Sequence, residues 1–486
     1  MQSTNAICPS LFNATIAQDG ILSRIHLPAG LITSTQCQLI TQVVNQFGNG
    51  EVQITNRANL QIRTNLALSK EILLDLQDYG LASSCANTDG LRNIMTSPTA
   101  GIDPQAKINT ISLAKQWNLY LLNHPELEIL SNKFSVCFDG GEVISVSDRP
   151  NDICFVAVEV DGEIHFSLYL GLGDRGESPL PVNVLIPHHQ VMEVLEALTE
   201  VYRDYTAKRL NQSFANKLRS RPPRLREMLS DYGVQKFFDL VENKLQYSLR
   251  NLSLMPLIQE DRTKKYAHLG IHAQKQSGLF YVGVVVPLGR LTSHQLERLA
   301  NLAKQHGGGA LRLTPWQNLL ITDIAEADVE AVTQEILELG LSISANHPYA
   351  AIAACSGSNG CKSAHTNTQS DARAIASHLE KCMQLDYPIN LHFSGCDKSC
   401  AQHHPSDIAL VGKDFATYKI YLGDGEIDFG RELYGDYRAD DLPMLVEQLL
   451  TIYQNQRQPK QSFREFVNHC DLQELANTLG EVIRHA

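Results

Sequence analysis

The sequence predicts an α+β protein with α/β parts, built by duplication. Two strand–helix–strand half-domains are related by a pseudo-twofold axis, each accompanied by an α/β domain. Three observations predict it. Residues 28–62 align without a gap on residues 287–321, an offset of 259. Residues 90–205 alternate short apolar strands with helical periodicity. Residues 353–412 set two cysteine-bearing loops around one helix and one strand.

In the repeat, Pro28 and Gly30 fall on Pro287 and Gly289, and Thr33-Ser34 on Thr292-Ser293. Gly48 and Gly50 fall on Gly307 and Gly309; Thr55, Asn59, Leu60 and Ile62 fall on Thr314, Asn318, Leu319 and Ile321. Glycines and prolines in register over 35 positions indicate duplication rather than shared turn chemistry. A period this long is no solenoid. Each copy opens with an apolar strand, Ile21 to Leu27 and Phe280 to Val286. The Thr-Ser pair caps a helix. Its apolar residues recur at helical spacing: Leu39, Ile40, Val43 and Val44, then Leu296, Leu299 and Leu302. A glycine-rich turn leads to a second strand, Val52 to Arg63. Alternation along it places Arg57, Asn59, Gln61 and Arg63 on one face. Such a row suits carboxylates, which guanidinium binds bidentately; a solvated sheet face reads equally well. The second copy sets Arg312, Thr314, Trp316 and Asn318 on the same face, with Trp316 where the first copy has Arg57.

Between the repeats, Ile153 to Val160 and Ile164 to Leu170 read as strands, and a helix begins near His188. Residues 206–262 read as a helical linker packing between the halves. Leu225, Met228, Leu229 and Tyr232 share one helix face; Phe237, Phe238, Val241 and Leu245 share another. Lys208 to Arg226 carries seven Lys/Arg and no acid. This run suits either a solvated helix face or the docking of an acidic electron donor such as a ferredoxin.

The chain has 486 residues, 43% of them hydrophobic, and a net charge of −12 from 41 basic and 53 acidic residues. An acidic chain lacks the basic footprint of a nucleic-acid binder. The opening MQSTNAICPS has no signal-peptide pattern. The longest apolar stretch, 278–289, is too short to span a bilayer. A cytoplasmic protein without membrane or nucleic-acid partners is expected. No GxGxxG follows a strand, so a built-in nicotinamide site is not expected. Eleven scattered cysteines are no disulfide framework. In a reducing compartment, clustered cysteines serve metals or redox chemistry. Cys8, Cys37, Cys85, Cys137, Cys154, Cys382 and Cys470 fall outside any cluster and are expected mostly in cores.

Cys355 and Cys361 form C-x5-C in a Ser/Gly/Asn loop. Cys396 and Cys400 form C-x3-C directly after an alternating strand with Ile389, Leu391 and Phe393. Between the pairs lies a helix with Ala372, Ile375, Ala376, Leu379 and Met383 on one face. Four thiolates are the usual ligands of an iron–sulfur cube, and small neighbours let backbone N–H groups reach the sulfurs. Zinc also takes four cysteines, though usually as C-x2–4-C pairs; four inert buried cysteines are the plain alternative.

This pattern resembles the sirohaem-type nitrite and sulfite reductase superfamily, over nearly the whole chain. TNRANLQIR at 55–63 looks like its tetrapyrrole-binding arginine strand. LRNIMTSPTAGIDP at 91–104, with Arg92, and NKFSVCFDGGE at 132–142, with Lys133, look like its next signatures. The resemblance implies two ferredoxin-like half-domains, 1–85 and 263–340. It also implies a tetrapyrrole-site domain at 86–205, the linker at 206–262 and a cluster domain at 341–486. It implies a [4Fe–4S] cluster on Cys355, Cys361, Cys396 and Cys400, with Cys400 bridging to sirohaem where sirohaem is bound.

Within the superfamily, LTPWQNLLI, NKFSVCFDGG and HFSGCDKSCA look more like the precorrin-3B synthase branch. Reductases typically show Gly-Cys-Pro-Asn where this chain has Gly-Cys-Asp-Lys, and a Lys or Asn where it has Ser135. That likeness implies O2-dependent hydroxylation of precorrin-3A, a cobalamin-pathway reaction. The tetrapyrrole carboxylates would be bound by Arg57, Arg63, Arg92, Lys133 and Arg312. A further non-haem iron would draw on His365, His392, His403 and His404; a structural or exposed histidine pair is the plainer reading. Two other functions stand beside it: a ferredoxin-dependent sirohaem reductase of nitrite or sulfite, and a non-catalytic iron–sulfur electron-transfer or sensing protein.

Overall fold

The computed structural model describes residues 9–174, 176–215, 221–251, 266–425 and 429–485. Among the described residues the named strands form four sheets. Two belong to the half-domains. The first runs Thr15–Ala17, Gly20–Ile25, Leu60–Thr64, Gly48–Ile54 and Arg290–Thr292; the second runs Gly270–Ala273, Leu279–Val284, Leu319–Ala325, Ala310–Leu313 and Leu31–Thr33. Each sheet therefore ends in a strand lent by the other copy. Leu291 lies opposite Val52, and Ile32 opposite Leu311.

The helices Ser34–Phe47 and Ser293–His306 follow the lent strands. Both start with a complete capping box, Thr33 with Gln36 and Thr292 with Gln295, which satisfies backbone donors the first turn leaves open. Their apolar faces, Ile40, Val43 and Val44 against Leu296, Leu299 and Leu302, join one buried core. The duplicated half-domains are thus a single body around a shared interior.

The segment Val52 to Arg63 is not one strand. Gly48–Ile54 and Leu60–Thr64 are the arms of a hairpin whose tip is Thr55 to Asn59. The Thr55 amide donates to the Asn59 carbonyl at 2.9 Å, and the Asn59 amide donates to the Thr55 hydroxyl at 3.1 Å. Ala58 turns the corner at φ 53, a region costly for a residue with a Cβ. The second copy repeats the tip: Thr314 to Asn318 at 2.9 Å, Asn318 to the Thr314 hydroxyl at 3.1 Å, Gln317 at φ 62. The side-chain carbonyls of Asn59 and Asn318 accept from the Leu27 and Val286 amides at 2.8 and 3.0 Å. No glycine marks the tip, so alternation runs through it in the sequence. In the fold, Arg57 sits at the tip and Arg63 on an arm, and the expected row of four does not exist.

Asn59→Ala leaves a buried Leu27 amide without its acceptor. It should destabilise by about 2 kcal/mol, read as a lowered urea midpoint. Asn318→Ala should cost a similar amount.

The α/β domains repeat each other too. Ile94–Thr96, Val136–Asp139 and Ile153–Val160 are parallel, followed by antiparallel Glu163–Leu170 and Leu180–Pro187. Ile352–Ala354, Leu391–Ser394 and Ile408–Asp414 are parallel, followed by antiparallel Thr417–Leu422 and Arg431–Arg438. Residues 206–251 do not form a linker between halves. Residues up to Ala215 continue the helix Val191–Ala215. The helices Leu225–Tyr232 and Val234–Leu245 bury Leu225, Met228, Phe237 and Val241 in the same core as Phe134, Phe155 and Leu198. Arg250–Asn251 pairs with Leu180–Pro187. Parts of the basic run (216–220) and of the expected linker (252–262) lie outside the described residues. No described helix is long and apolar enough to cross a membrane.

Candidate functional site

The cysteine pairs leave the carboxyl ends of two adjacent parallel strands, where α/β sheets open their binding crevices. Cys355 follows Ile352–Ala354 and Cys396 follows Leu391–Ser394. The Cys355 amide donates to the Phe393 carbonyl at 3.1 Å and the His365 amide to the Gly395 carbonyl at 2.8 Å, tying the loops together. The Gly395 amide donates to Cys355 Sγ at 3.2 Å. A Cβ on Gly395 would meet the Ala364 Cβ at 2.5 Å, so this approach needs glycine. Thr368, at the start of the helix Thr368–Cys382, donates to the Cys355 carbonyl at 2.8 Å, and Gln369 donates to it at 2.9 Å. Cys361 and Cys400 are exposed, while Cys355 and Cys396 are half-buried. Burial pushes the Cys396 thiol up, and Cys355 and Cys361 nearby add to the shift.

The predicted cations are placed unequally. Arg57 reaches from the hairpin tip to the Pro150 carbonyl, to Asn151 Oδ1 at 2.7 Å and to Asn93 Oδ1 at 3.5 Å. Burial lowers it to about 10, so it stays charged at neutral pH. Its neighbour Asn56 donates to the Ala401 carbonyl at 3.0 Å, next to Cys400. Arg63 is buried against Asp19 at 2.6 Å and donates to Ser356 at 2.9 Å, beside Cys355. Lys133 is exposed at the head of the strand Val136–Asp139. Arg92 turns elsewhere: its guanidinium bonds Asn118 at 3.1 Å, the Gly80 carbonyl at 2.8 Å and Asp89 at 3.4 Å. Burial opposes the charge on Asp89, but the His26 hydrogen bond and the charges of His26 and Arg92 outweigh it and hold the carboxyl down. Arg312 donates to the Pro98 and Ala100 carbonyls at 3.2 and 2.7 Å, as a strut between domains. Arg92 and Arg312 are therefore turned to carbonyls away from the cysteine loops.

A second repeat, passed over in the sequence, organises the centre. Residues 138–153 align on 393–408 at an offset of 255: Phe138 on Phe393, Gly140 on Gly395, Pro150 on Pro405, Asp152 on Asp407, Ile153 on Ile408. The signal was there, F-x-G-x9-P-x-D-I in both copies. Asp152 accepts from the Ser135 amide at 3.0 Å and from its hydroxyl at 3.1 Å; Asp407 accepts from the Asn390 amide at 2.7 Å. Ser135 thus clamps a loop. Arg149 and His404, equivalent residues of the two copies, bond each other. Arg149 also lies 5.1 Å over Trp316, which stacks on His268 at 5.1 Å. Both hairpin tips and both repeat loops meet here.

Comparison with known proteins agrees with this architecture. Residues 16–70 and 272–339 match the nitrite/sulfite reductase ferredoxin-like half domain, and residues 87–249 and 349–486 match the nitrite and sulphite reductase 4Fe-4S domain. The chain belongs to the nitrite and sulfite reductase family.

It is 31% identical over 461 residues to the ferredoxin–nitrite reductase of Synechococcus elongatus, covering 90% of this chain and 87% of that one. It is 28% identical over 486 residues to sulfite reductase [ferredoxin] 2 of Mycolicibacterium paratuberculosis, covering 93% and 83%. The Mycobacterium tuberculosis NirA protein shares its fold, with TM-score 0.77 at 23% identity over 94% of this chain and 84% of that one. These relatives overturn the precorrin-3A hydroxylase expectation, since the similar curated proteins are named nitrite and sulfite reductases. Its two departures have local explanations. Ser135 is held by Asp152, and Lys398 lies exposed, donating to Ser363 at 2.9 Å.

The family's cofactors are a [4Fe–4S] cluster and sirohaem. The cysteines fit a cube better than a single ion. Tetrahedral zinc draws its sulfurs to roughly 3.8 Å, yet among the described residues no trio containing these cysteines gathers within 4.8 Å. Trp316 Nε1 and His392 Nε2 are buried without a hydrogen-bond partner, polar atoms left open to a further group. None of the four histidines expected at a second iron joins a three-ligand set among the described residues, although His403 lies close enough to His392 to act on its charge. His365 is exposed and His404 meets Arg149.

His392 is 1% exposed, and burial lowers it to about 3, with His403 adding to the shift. Its folded value lies below its unfolded 6.5. The unfolded chain therefore binds a proton that the native state refuses between those values. Stability is fully present above about pH 6.5 and falls by about 1.4 kcal/mol per unit as pH drops below it. His392→Gln should flatten that slope relative to the parent in urea unfolding at pH 7, 6 and 5.

Proposed function

We propose that this chain is a ferredoxin-dependent nitrite reductase, reducing nitrite to ammonium. What carries the reading is the end-to-end similarity to ferredoxin–nitrite reductases, 31% identical over 461 residues. The site supports it. Cys355, Cys361, Cys396 and Cys400 would hold the cluster, and Cys400 would link it to sirohaem. When bound, sirohaem would supply a redox-active iron and the cluster would supply electrons.

The chain's own residues do the rest. Arg57, charged and half-buried, places a fixed cation at the hairpin tip beside the Cys400 loop, where an oxyanion is drawn in a partly desolvated setting. Lys133, exposed ahead of the strand Val136–Asp139, would add a second cation for the anion. Arg63 holds the Cys355 loop against the first half-domain. Arg92 and Arg312 act as positioning residues: Arg92 braces the turn carrying Asn93, which bonds Arg57, and Arg312 braces residues 98–100.

Sulfite is the second reading, favoured by the similarity to a sulfite reductase over 93% of this chain. Enzyme with full iron, sulfide and sirohaem is supplied with reduced ferredoxin and either anion. Ammonium from nitrite, at a rate that falls with ionic strength as charged partners separate, is the expected result. Sulfide production from sulfite at the higher kcat/KM moves the second reading to first. Turnover of neither anion rejects both.

A further inference from the structure

Cys382, expected among the core cysteines, is exposed at the carboxyl end of the helix Thr368–Cys382. His378 stands one turn back, at the i, i+4 spacing that brings side chains together. The helix Leu442–Gln456 packs alongside and presents Glu447. His378 Nε2 and Glu447 Oε2 are 2.6 Å apart. One ligand atom from each of His378, Cys382 and Glu447 lies within 4.8 Å of the other two. Among the described residues, no other His, Cys, Asp or Glu trio is gathered this closely.

We propose that His378, Cys382 and Glu447 form a divalent transition-metal site of the zinc class, separate from the iron–sulfur cluster. Imidazole, thiolate and carboxylate are the donors zinc takes, and bonds of about 2.0–2.3 Å put ligand atoms roughly 3–4 Å apart. Small side-chain movements reach that spacing. Magnesium and calcium prefer all-oxygen sets, so the thiol and imidazole select against them. Three protein ligands leave a fourth position for water, and His378 and Glu447 are 32% and 28% exposed, which keeps it open. On binding, the ion displaces the thiol proton of Cys382, which is released to solvent, and the imidazole of His378 binds as its neutral tautomer with the proton on Nδ1. The far end of the same helix touches Cys355, fourteen residues and about 21 Å away by helix rise. The ion would brace two helices behind the cluster without contacting it. A plain His–Glu ion pair beside a bystander thiol is the competing account.

The test uses the holoenzyme with Zn2+ as probe. Alkylation of Cys382 by iodoacetamide is followed by peptide mass spectrometry with and without Zn2+. A slowing of about tenfold is expected at a Zn2+ concentration about ten times the Kd. Cys382→Ser and His378→Ala should each lose one equivalent of bound zinc while iron and acid-labile sulfide stay at the parent level. Alkylation unchanged by Zn2+, or equal zinc in the parent and Cys382→Ser, overturns the proposal. Should a variant misfold, the alkylation result on the parent decides alone.

Discussion

Cys396→Ser is expected to yield a folded protein without its [4Fe–4S] cluster and with nitrite reduction down about a thousandfold or more, equivalent to about 4 kcal/mol of lost barrier lowering. Serine matches cysteine in shape, so the strand Leu391–Ser394 and its loop contacts persist. Its hydroxyl gives no soft thiolate for iron. The other three cysteines cannot compensate: Cys355 and Cys361 sit on the far loop, and Cys400 stands four residues on, exposed at the rim. Iron and acid-labile sulfide per chain, with the cluster's visible absorption, are the readouts. Parent-level iron and sulfide in Cys396→Ser would remove it from the ligand set. Cys382→Ser serves as the control, because its site lies at the other end of the intervening helix.

Arg57→Glu should be nearly as severe. The guanidinium faces three oxygens, the Pro150 carbonyl and the side chains of Asn151 and Asn93. A carboxylate there meets acceptors only, in a place where burial already penalises charge. Destabilisation of about 1–3 kcal/mol is expected from leaving these partly buried acceptors unsatisfied. For substrate, reversal replaces attraction by repulsion, and kcat/KM for nitrite should fall by about three orders of magnitude, a barrier change near 4 kcal/mol. Arg57→Lys separates the two effects. It keeps the charge and loses the planar fork, so it should fold while KM for nitrite rises. Steady-state kinetics beside iron and sulfide analysis distinguish them. Parent-level kcat/KM in Arg57→Glu would take Arg57 out of the anion site.

The half-domain duplication was legible because turns constrain residue type strongly. Pro28 and Pro287, with the capping threonines Thr33 and Thr292, announce the same backbone twice. The cysteine loops were legible for a similar reason: short spacings after an alternating strand leave few geometries. The hairpin tip was not. Thr55 and Asn59 close it by side-chain bonds, without the glycine that would announce a reversal, so Arg57 and Arg63 looked like neighbours on one strand. The second repeat, Phe138 to Ile153 on Phe393 to Ile408, was written in the sequence and passed over. Only five of its sixteen positions coincide in residue type between 138–153 and 393–408.

By itself the sequence determined the duplicated fold class, the helix caps and the two cysteine loops flanking one α/β unit. These depend on local backbone geometry and on periodicity, which neighbouring residues set. Only the tertiary structure decided which basic side chains lie beside the cysteine loops. Arg92 and Arg312 bond the carbonyls of Gly80, Pro98 and Ala100, away from the cysteine loops, whereas Arg57, itself bonded to the Pro150 carbonyl and Asn151, comes to rest beside the loop of Cys400. A guanidinium's partners are chosen by whichever oxygens the fold brings within 3 Å or so of it. Those oxygens come from segments distant in the chain, a juxtaposition no local pattern encodes.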